Sequence, residues 1–190
     1  MYIQVETTPN DAALKFLLGI TVSIPPIFFE DSSQTVNKSK LAERLFTLTG
    51  VKAVFFGNDF ITITKQDGND WALLKPEIIS IITEYLVTGL PILEDIEKAD
   101  TTKLNDADLS DIDKQIIEII ETRVRPAVAR DGGDITYQAF DQESGKVYLQ
   151  LKGACSGCPS AAITLKDGIE SMLQHYVPEV IEVVAVEDEK

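Results

Sequence analysis

The spacing of apolar residues changes several times along the chain, and each change marks a new element. Ile3 and Val5 alternate with polar neighbours, Thr8-Pro9-Asn10-Asp11 marks a turn, and Leu14 to Leu17 resumes a strand before Gly19. Thr21 to Glu30 predicts a further strand, interrupted by Pro25-Pro26 and so confined to an edge or an irregularity. Ser39 to Leu48 carries apolar residues at 41, 42, 45, 46 and 48, the spacing of a short amphipathic helix. Val51 to Phe56 and Phe60 to Thr64 are β-branched and aromatic runs joined by Gly57-Asn58-Asp59, which predicts a hairpin. A second helix runs from about Trp71 to Val87, with Leu74, Ile78, Ile82, Tyr85 and Leu86 in one stripe and Gly89 as its stop. Trp71 and the phenylalanines belong to a core rather than to a ligand platform.

From Gly89 to Ser110 the periodicity collapses. Pro91 is followed by Glu94, Asp95, Glu97, Asp100, Asp106 and Asp108, with few large apolar residues after Ile96. Such a segment repels itself and buries little, so it reads as an acidic flexible linker between two domains. Beyond it Ile112, Ile116, Ile119, Ile120 and Val124 share a helix face, Ser110 is placed as N-cap, and Pro126 should bend or end the helix. Asp131-Gly132-Gly133-Asp134 is a turn, and Ile135 to Phe140 with Lys146 to Leu151 form a hairpin whose Val147, Leu149 and Leu151 share a face. Pro159 occupies the first position of a helix with core residues Ala162, Leu165, Ile169, Met172 and Leu173. Pro178 breaks that helix, and Val180 to Val186 is a final strand. The fold class is α+β: two small α+β domains, 1–88 and 111–190, joined by the acidic linker 89–110.

Charge removes some functions. Net charge is −14, divided as −3 over 1–88, −4 over 89–110 and −7 over 111–190. Sequence-independent nucleic-acid binding needs lysine and arginine against phosphate, so no nucleic-acid partner is expected. No run of about 18 apolar residues is present, so no membrane partner is expected either. The start, Met1 to Val5, enters strand-like alternation at once, and no signal or transit peptide is expected. With two cysteines in 190 residues a disulfide framework is excluded, and a reduced, cytoplasmic setting is the expectation.

Those two cysteines are the candidate chemistry. Gly153-Ala154-Cys155-Ser156-Gly157-Cys158-Pro159 is a Cys-x-x-Cys between a predicted strand and a predicted helix. Zinc and cubane iron–sulfur sites take about four ligands, so one copy supplies half a site. His175 is the lone histidine, 17 residues beyond Cys158, and cannot complete a zinc finger. Two copies could pool four thiolates. The small neighbours Ala154, Ser156, Pro159, Ala161 and Ala162 leave room for a second chain. The helix start, with its unpaired amides and positive dipole end, is expected to favour thiolate at both sulfurs.

A dithiol redox centre has the same layout, but the thioredoxin fold needs more strands after the active-site helix than can follow Pro178. Shared zinc and incidental structural cysteines remain open on the residues alone. No acid–base pair, phosphate loop or Ser/His arrangement points to an enzyme, and no residue is assigned as catalytic. Gly132-Gly133 lacks phosphate-loop spacing, and turn capping accounts for Asp131 and Asp134.

Several stretches carry a resemblance. Arg123-Val124-Arg125-Pro126, Arg130 to Asp134, Gly153 to Ala162 and Thr164 to Ile169 resemble the C-terminal domain of NifU and the Nfu proteins, which are iron–sulfur cluster scaffolds and carriers. Glu6 to Asn10, Leu14 to Phe16, Gly50-Val51, Val54 to Gly57, Asp59 to Thr62, Trp71 and Lys75-Pro76 resemble the Nfu N-terminal domain. The chain departs from that pattern at Asp11, Leu18 and Lys40, all in the first domain. The resemblance implies that Cys155 and Cys158 of two protomers hold one bridging [4Fe-4S] cluster. It further implies iron binding, a homodimer when loaded, a donor scaffold, and apo-proteins as recipients. The setting would be cytoplasmic, or the mitochondrial matrix for a processed organellar form. The different-class alternative is a thiol-disulfide oxidoreductase working through Cys155.

Overall fold

The computed structural model describes residues 3–94, 109–155 and 159–186. The chain divides into two compact units, Met1–Ala99 and Asp100–Lys190, and each is a small α+β domain. Most of the acidic segment, 95–108, lies outside the described residues.

Among the described residues the first domain is a five-stranded antiparallel sheet with two α-helices and a short 3-10 turn (Ser32–Thr35). Its strands are β1 (Gln4–Thr7), β2 (Ala13–Leu17), β3 (Ile27–Phe29), β4 (Val51–Phe56) and β5 (Phe60–Lys65), in the spatial order β1-β2-β5-β4-β3. Helix α1 (Lys40–Phe46) is capped by Ser39, whose Oγ accepts the Ala42 N–H at 3.1 Å. Helix α2 spans Trp71–Val87, and Gly89 follows it at φ +69. Strand alternation gives the sheet two faces. Phe16, Ile61, Ile63, Val54 and Phe56 join Leu41, Leu45, Ile78 and Ile82 in one core. Lys15, Thr62, Phe55 and Phe28 stand in register on alternate positions, and the Lys15 ammonium lies 4.4 Å from the Phe60 ring centre. Each buried aromatic contributes about 1.5–3 kcal/mol of transfer free energy.

Two expectations change here. The stretch Thr21 to Glu30 is a strand only at Ile27–Phe29. Its earlier part is a loop in which Val22 and Ser23 donate to Asn58 O and Gly57 O, and prolines 25 and 26 have no N–H to offer a ladder. The start of the acidic segment also belongs to the first domain's packing. Ile92 is buried, Ser39 Oγ donates to Ile92 O at 2.6 Å, Tyr85 donates to Pro91 O, and Glu94 N–H donates to Lys38 O. Trp71 packs against the core at the edge, with its indole N–H on Asp11 O at 3.0 Å.

The second domain opens with helix α3 (Asp111–Ile119), which passes through a π-helical turn (Ile120–Val124) into α4 (Arg125–Arg130). Pro126 therefore does not end the helix. The turn widens ahead of it so that the Arg125 N–H reaches Ile120 O, five residues back, and the wider turn accommodates the ring that a regular helix would reject. Strands β6 (Gly133–Asp141) and β7 (Lys146–Gly153) pair antiparallel, and β8 (Glu182–Val186) joins β7 in parallel after helix α5 (Pro159–Tyr176). Ile116, Ile120, Val124, Val128, Val147, Leu149, Ile169 and Leu173 form its core, with Leu151, Leu165 and Met172 packed at the margin. The side chain of Ala162 lies outside the described residues.

The α3 start is a capping box. Ser110 N–H and Oγ both donate to the Asp113 carboxylate, the Asp113 N–H donates back to Ser110 Oγ, and Tyr137 donates to the same carboxylate. Burial acts to raise the Asp113 pKa, and the hydrogen bonds from Ser110 and Tyr137 outweigh it and hold the carboxyl below its usual value. A depressed folded pKa gives stability that is present above the unfolded value, about 3.9, and lost as pH falls through the folded one. Asp113→Asn is therefore expected to lower second-domain stability at pH 7 by about 1–2 kcal/mol. Urea titrations at pH 7 and near pH 2 check this, because the difference should shrink in acid. An equal difference at both values would sink the assignment.

Candidate functional site

Cys155 sits two residues past the end of β7, where the strand leaves the sheet toward α5. Gly153 closes the strand at φ +68, a conformation that glycine adopts without a Cβ penalty. Ala154 N–H donates to Gly132 O at 3.1 Å, and Gly133 pairs with Gly153 at the end of the β6–β7 ladder. The sulfur rests directly over Gly133: a Cβ placed there would lie 2.6 Å from Cys155 Sγ and 2.7 Å from Lys152 O. The missing side chain of Gly133 is the space that the sulfur occupies. Cys158, with Ser156 and Gly157, lies outside the described residues, while α5 begins at Pro159 as expected.

Cys155 is not on an open loop. It is 7% exposed and packs into the second core with Ile135 and Ile169 among its members. The expectation that its thiolate forms readily is corrected accordingly. Burial, then the negative charges of Asp131 and Asp134, push its thiol up to about 12. The dipole of α5 cannot offset this, because its first residue is four positions further on and the effect fades within a turn. Cys155 therefore favours its protonated form at neutral pH. A positively charged metal centre would compensate the ionised sulfur and displace that proton.

Asp134 has its own partner. Its buried carboxylate accepts from Arg125 at two points, Nε to Oδ1 at 2.7 Å and Nη2 to Oδ2 at 3.0 Å. The remaining Arg125 nitrogen, Nη1, donates to both carboxylate oxygens of Glu121, at 2.8 and 2.7 Å. The hydrogen bonds to Asp134 raise the Arg125 pKa, with burial opposing them. Asp134 is therefore fully engaged and is not an oxygen ligand in waiting. Sequence reasoning placed Asp134 in a turn and assigned Arg125 only to a family motif; the chain that links Glu121, Arg125, Asp134, Gly133 and Cys155 was missed. The i,i+4 spacing of Glu121 and Arg125 was the one visible signal.

Among the described residues no group of three or more Cys, His, Asp or Glu side chains could hold a metal ion. The lone His175 stacks edge-on with Tyr176, whose ring also lies under the Arg123 guanidinium. What the site offers is a sulfur pinned between a glycine and a core, with a second cysteine three residues on.

Comparison with known proteins places these domains. Residues 3–89 match the family model "Scaffold protein Nfu/NifU N terminal", and residues 116–184 match the NifU-like domain. NifU-like protein C1709.19c of Schizosaccharomyces pombe is 47% identical over 193 residues, covering 99% of this chain and 74% of that protein. A Drosophila sechellia protein named NFU1 iron-sulfur cluster scaffold homolog, mitochondrial, is 46% identical, covering 100% of this chain and 66% of its own length. A solution structure of a NifU-like protein from Saccharomyces cerevisiae covers 50% of this chain and 87% of that one, at 33% identity and a TM-score of 0.46. With both domain models matched in order and a 47% identical relative spanning nearly every residue, the chain belongs to the Nfu/NifU-like family.

Proposed function

We propose that this protein is an iron–sulfur cluster scaffold and carrier, not a catalyst. Cys155 and Cys158 of two protomers hold one [4Fe-4S] cluster as cargo, receive it from a donor scaffold, and deliver it to apo-proteins. The observation that carries this reading is the seat of Cys155: a sulfur held over Gly133 at a strand end, inside the domain that matches the NifU-like model. A core of charge about 2+ bound by four thiolates carries about 2−. That charge is best shared at a surface where two chains meet and can part, as delivery requires. Ligand exchange then passes the cluster to a recipient's thiolates without a redox step.

The thiol-disulfide oxidoreductase reading is disfavoured by one feature. An attacking cysteine is a low-pKa, reachable thiolate, whereas Cys155 is buried with its thiol pushed up to about 12.

Reconstitution tests the proposal. With iron, sulfide and reductant under anaerobic conditions, the chain should take up about two irons and two sulfides per protomer, in a dimer. Native mass spectrometry with metal analysis reads both quantities. A loaded monomer that retains four irons without external thiols would overturn the dimer-bridged site.

Division of labour follows from where the cysteines lie. We assign 1–94 to recognition of donor or recipient, 111–190 to the cluster, and the acidic segment between them to a tether that raises the local concentration of cargo near its target. Residues 105–190 should still dimerise around a cluster, and 1–94, which contain no cysteine, should bind no iron. Removing 1–94 should slow transfer to some recipients while iron per chain stays the same. Absence of any cluster on 105–190 would give the first domain a structural role at the site. The relatives' names point to mitochondria, and the cytoplasm or mitochondrial matrix is the proposed setting. Among the described residues no helix is long and apolar enough to cross a membrane.

A further inference from the structure

Arg125 uses all of its hydrogen-bonding nitrogens on two carboxylates, and one of these sits beside the sulfur's seat. Its fork closes on Asp134, which is only 5% exposed, while Nη1 is anchored to Glu121 one helical turn earlier. Asp134 is the residue after Gly133, and Gly133 is the surface on which Cys155 Sγ rests. The next glycine back, Gly132, accepts the Ala154 N–H. Glu121, Arg125, Asp134, Gly133 and Cys155 are therefore mechanically continuous. The anchoring turn is unusual in itself. It is the π-helical stretch Ile120–Val124, and Arg125 is the residue whose N–H closes the wide turn on Ile120 O.

We propose that Arg125 is a positioning residue for Cys155: its two-point grip on Asp134 fixes the Gly132–Gly133 step that holds the sulfur in place. The planar fork is what the task requires. A guanidinium meets both carboxylate oxygens at once and so sets the orientation of Asp134 as well as its distance. A lysine would supply the same charge through a single rotatable point and would leave that orientation free. Outer partners of this kind commonly change metal affinity by about 10–100-fold without touching the metal. The cluster-dependent part rests on the proposed function. The seating of Cys155 does not.

The test compares the full chain with Arg125→Lys and Asp134→Asn. Iodoacetamide labelling of the unloaded protein is followed by peptide mass spectrometry, with Cys158 in the same molecule as the internal reference for Cys155. The loaded protein is followed by visible circular dichroism and by the half-life of cluster loss to a chelator. For Arg125→Lys the far-ultraviolet spectrum should stay native. The Cys155-to-Cys158 labelling ratio should rise about 10-fold, cluster loss should quicken about 10-fold, and the visible spectrum should change shape. Wild-type labelling, half-life and spectrum in a folded Arg125→Lys protein would overturn the proposal, since charge alone would then suffice. If Arg125→Lys does not fold, Asp134→Asn decides by the same readings. It preserves size and one arm of the fork but turns the other acceptor into a donor. If the wild-type chain takes up no cluster, the carrier reading fails, and the labelling ratio still judges the positioning role by itself.

Discussion

Replacing Cys155 or Cys158 with serine, one at a time, should reduce iron on the reconstituted protein from about two per chain to background. In a symmetric dimer each single substitution removes two of four thiolates, because every change occurs twice. A serine hydroxyl is a hard, neutral donor that does not ionise near pH 7, so it cannot replace a thiolate on a soft iron–sulfur core. The two variants should differ in stability. Cys155 is buried among apolar side chains, so serine there places a hydroxyl in the core at a cost of about 1–3 kcal/mol. Cys155→Ala retains the apolar character and is the better control: it should fold, melt close to wild type and still hold no iron. The oxidoreductase alternative expects something else of Cys158→Ser, namely a trapped mixed disulfide through Cys155 together with unchanged iron binding. Recovery of that adduct with a protein thiol partner would reverse the order of the two readings.

Legibility in the sequence follows the range of the interactions involved. Helices α1, α2 and α5 and the β4–β5 hairpin could be read because caps, stripes and turn glycines act within a few residues, as Ser39, Gly89 and Pro159 do. Of the two outcomes expected at Pro126, a bend or an end, the end does not occur, because a π-turn that depends on packing Ile120 and Val124 into the core accommodates the ring. Residues 90–94 misled for a related reason. Their charge and proline pattern suggested a linker, yet Ile92 is fastened to Ser39 across more than fifty positions, a contact no window can see. At the site, the spacing of Cys155 and Cys158 marked two candidate ligands, but the environment of the Cys155 sulfur did not follow from it. Burial in the second core, then the negative charges of Asp131 and Asp134, push the Cys155 thiol up, and all of these come from residues remote from it in sequence. The sign of the pKa shift therefore came out opposite to the one expected from neighbours in sequence.

Gly133→Ala tests the seat of the sulfur most sharply, and a matched control isolates it. The added methyl would stand 2.6 Å from Cys155 Sγ and 2.7 Å from Lys152 O. The second neighbour is strand backbone within the β6–β7 ladder and cannot retreat without breaking register, so the sulfur has to move. Overpacking of this kind costs about 1–3 kcal/mol, and it displaces a ligand as well as straining a core. Gly145 lies in the same domain, at the opposite end of the same hairpin. A Cβ there would meet Ile181 at 2.7 Å and Glu179 O at 2.8 Å, and φ is +67, so Gly145→Ala is strained by a comparable amount far from the cysteines. Both variants should lose stability in urea titrations. Only Gly133→Ala should also lose the cluster, with iron per chain falling at least several-fold and the residual visible circular dichroism altered, while Gly145→Ala folds less firmly yet loads as wild type. Equal cluster loss in both would mean that loading senses the stability of the whole domain, and the contact between Gly133 and Cys155 would then have no separate part in holding the cargo.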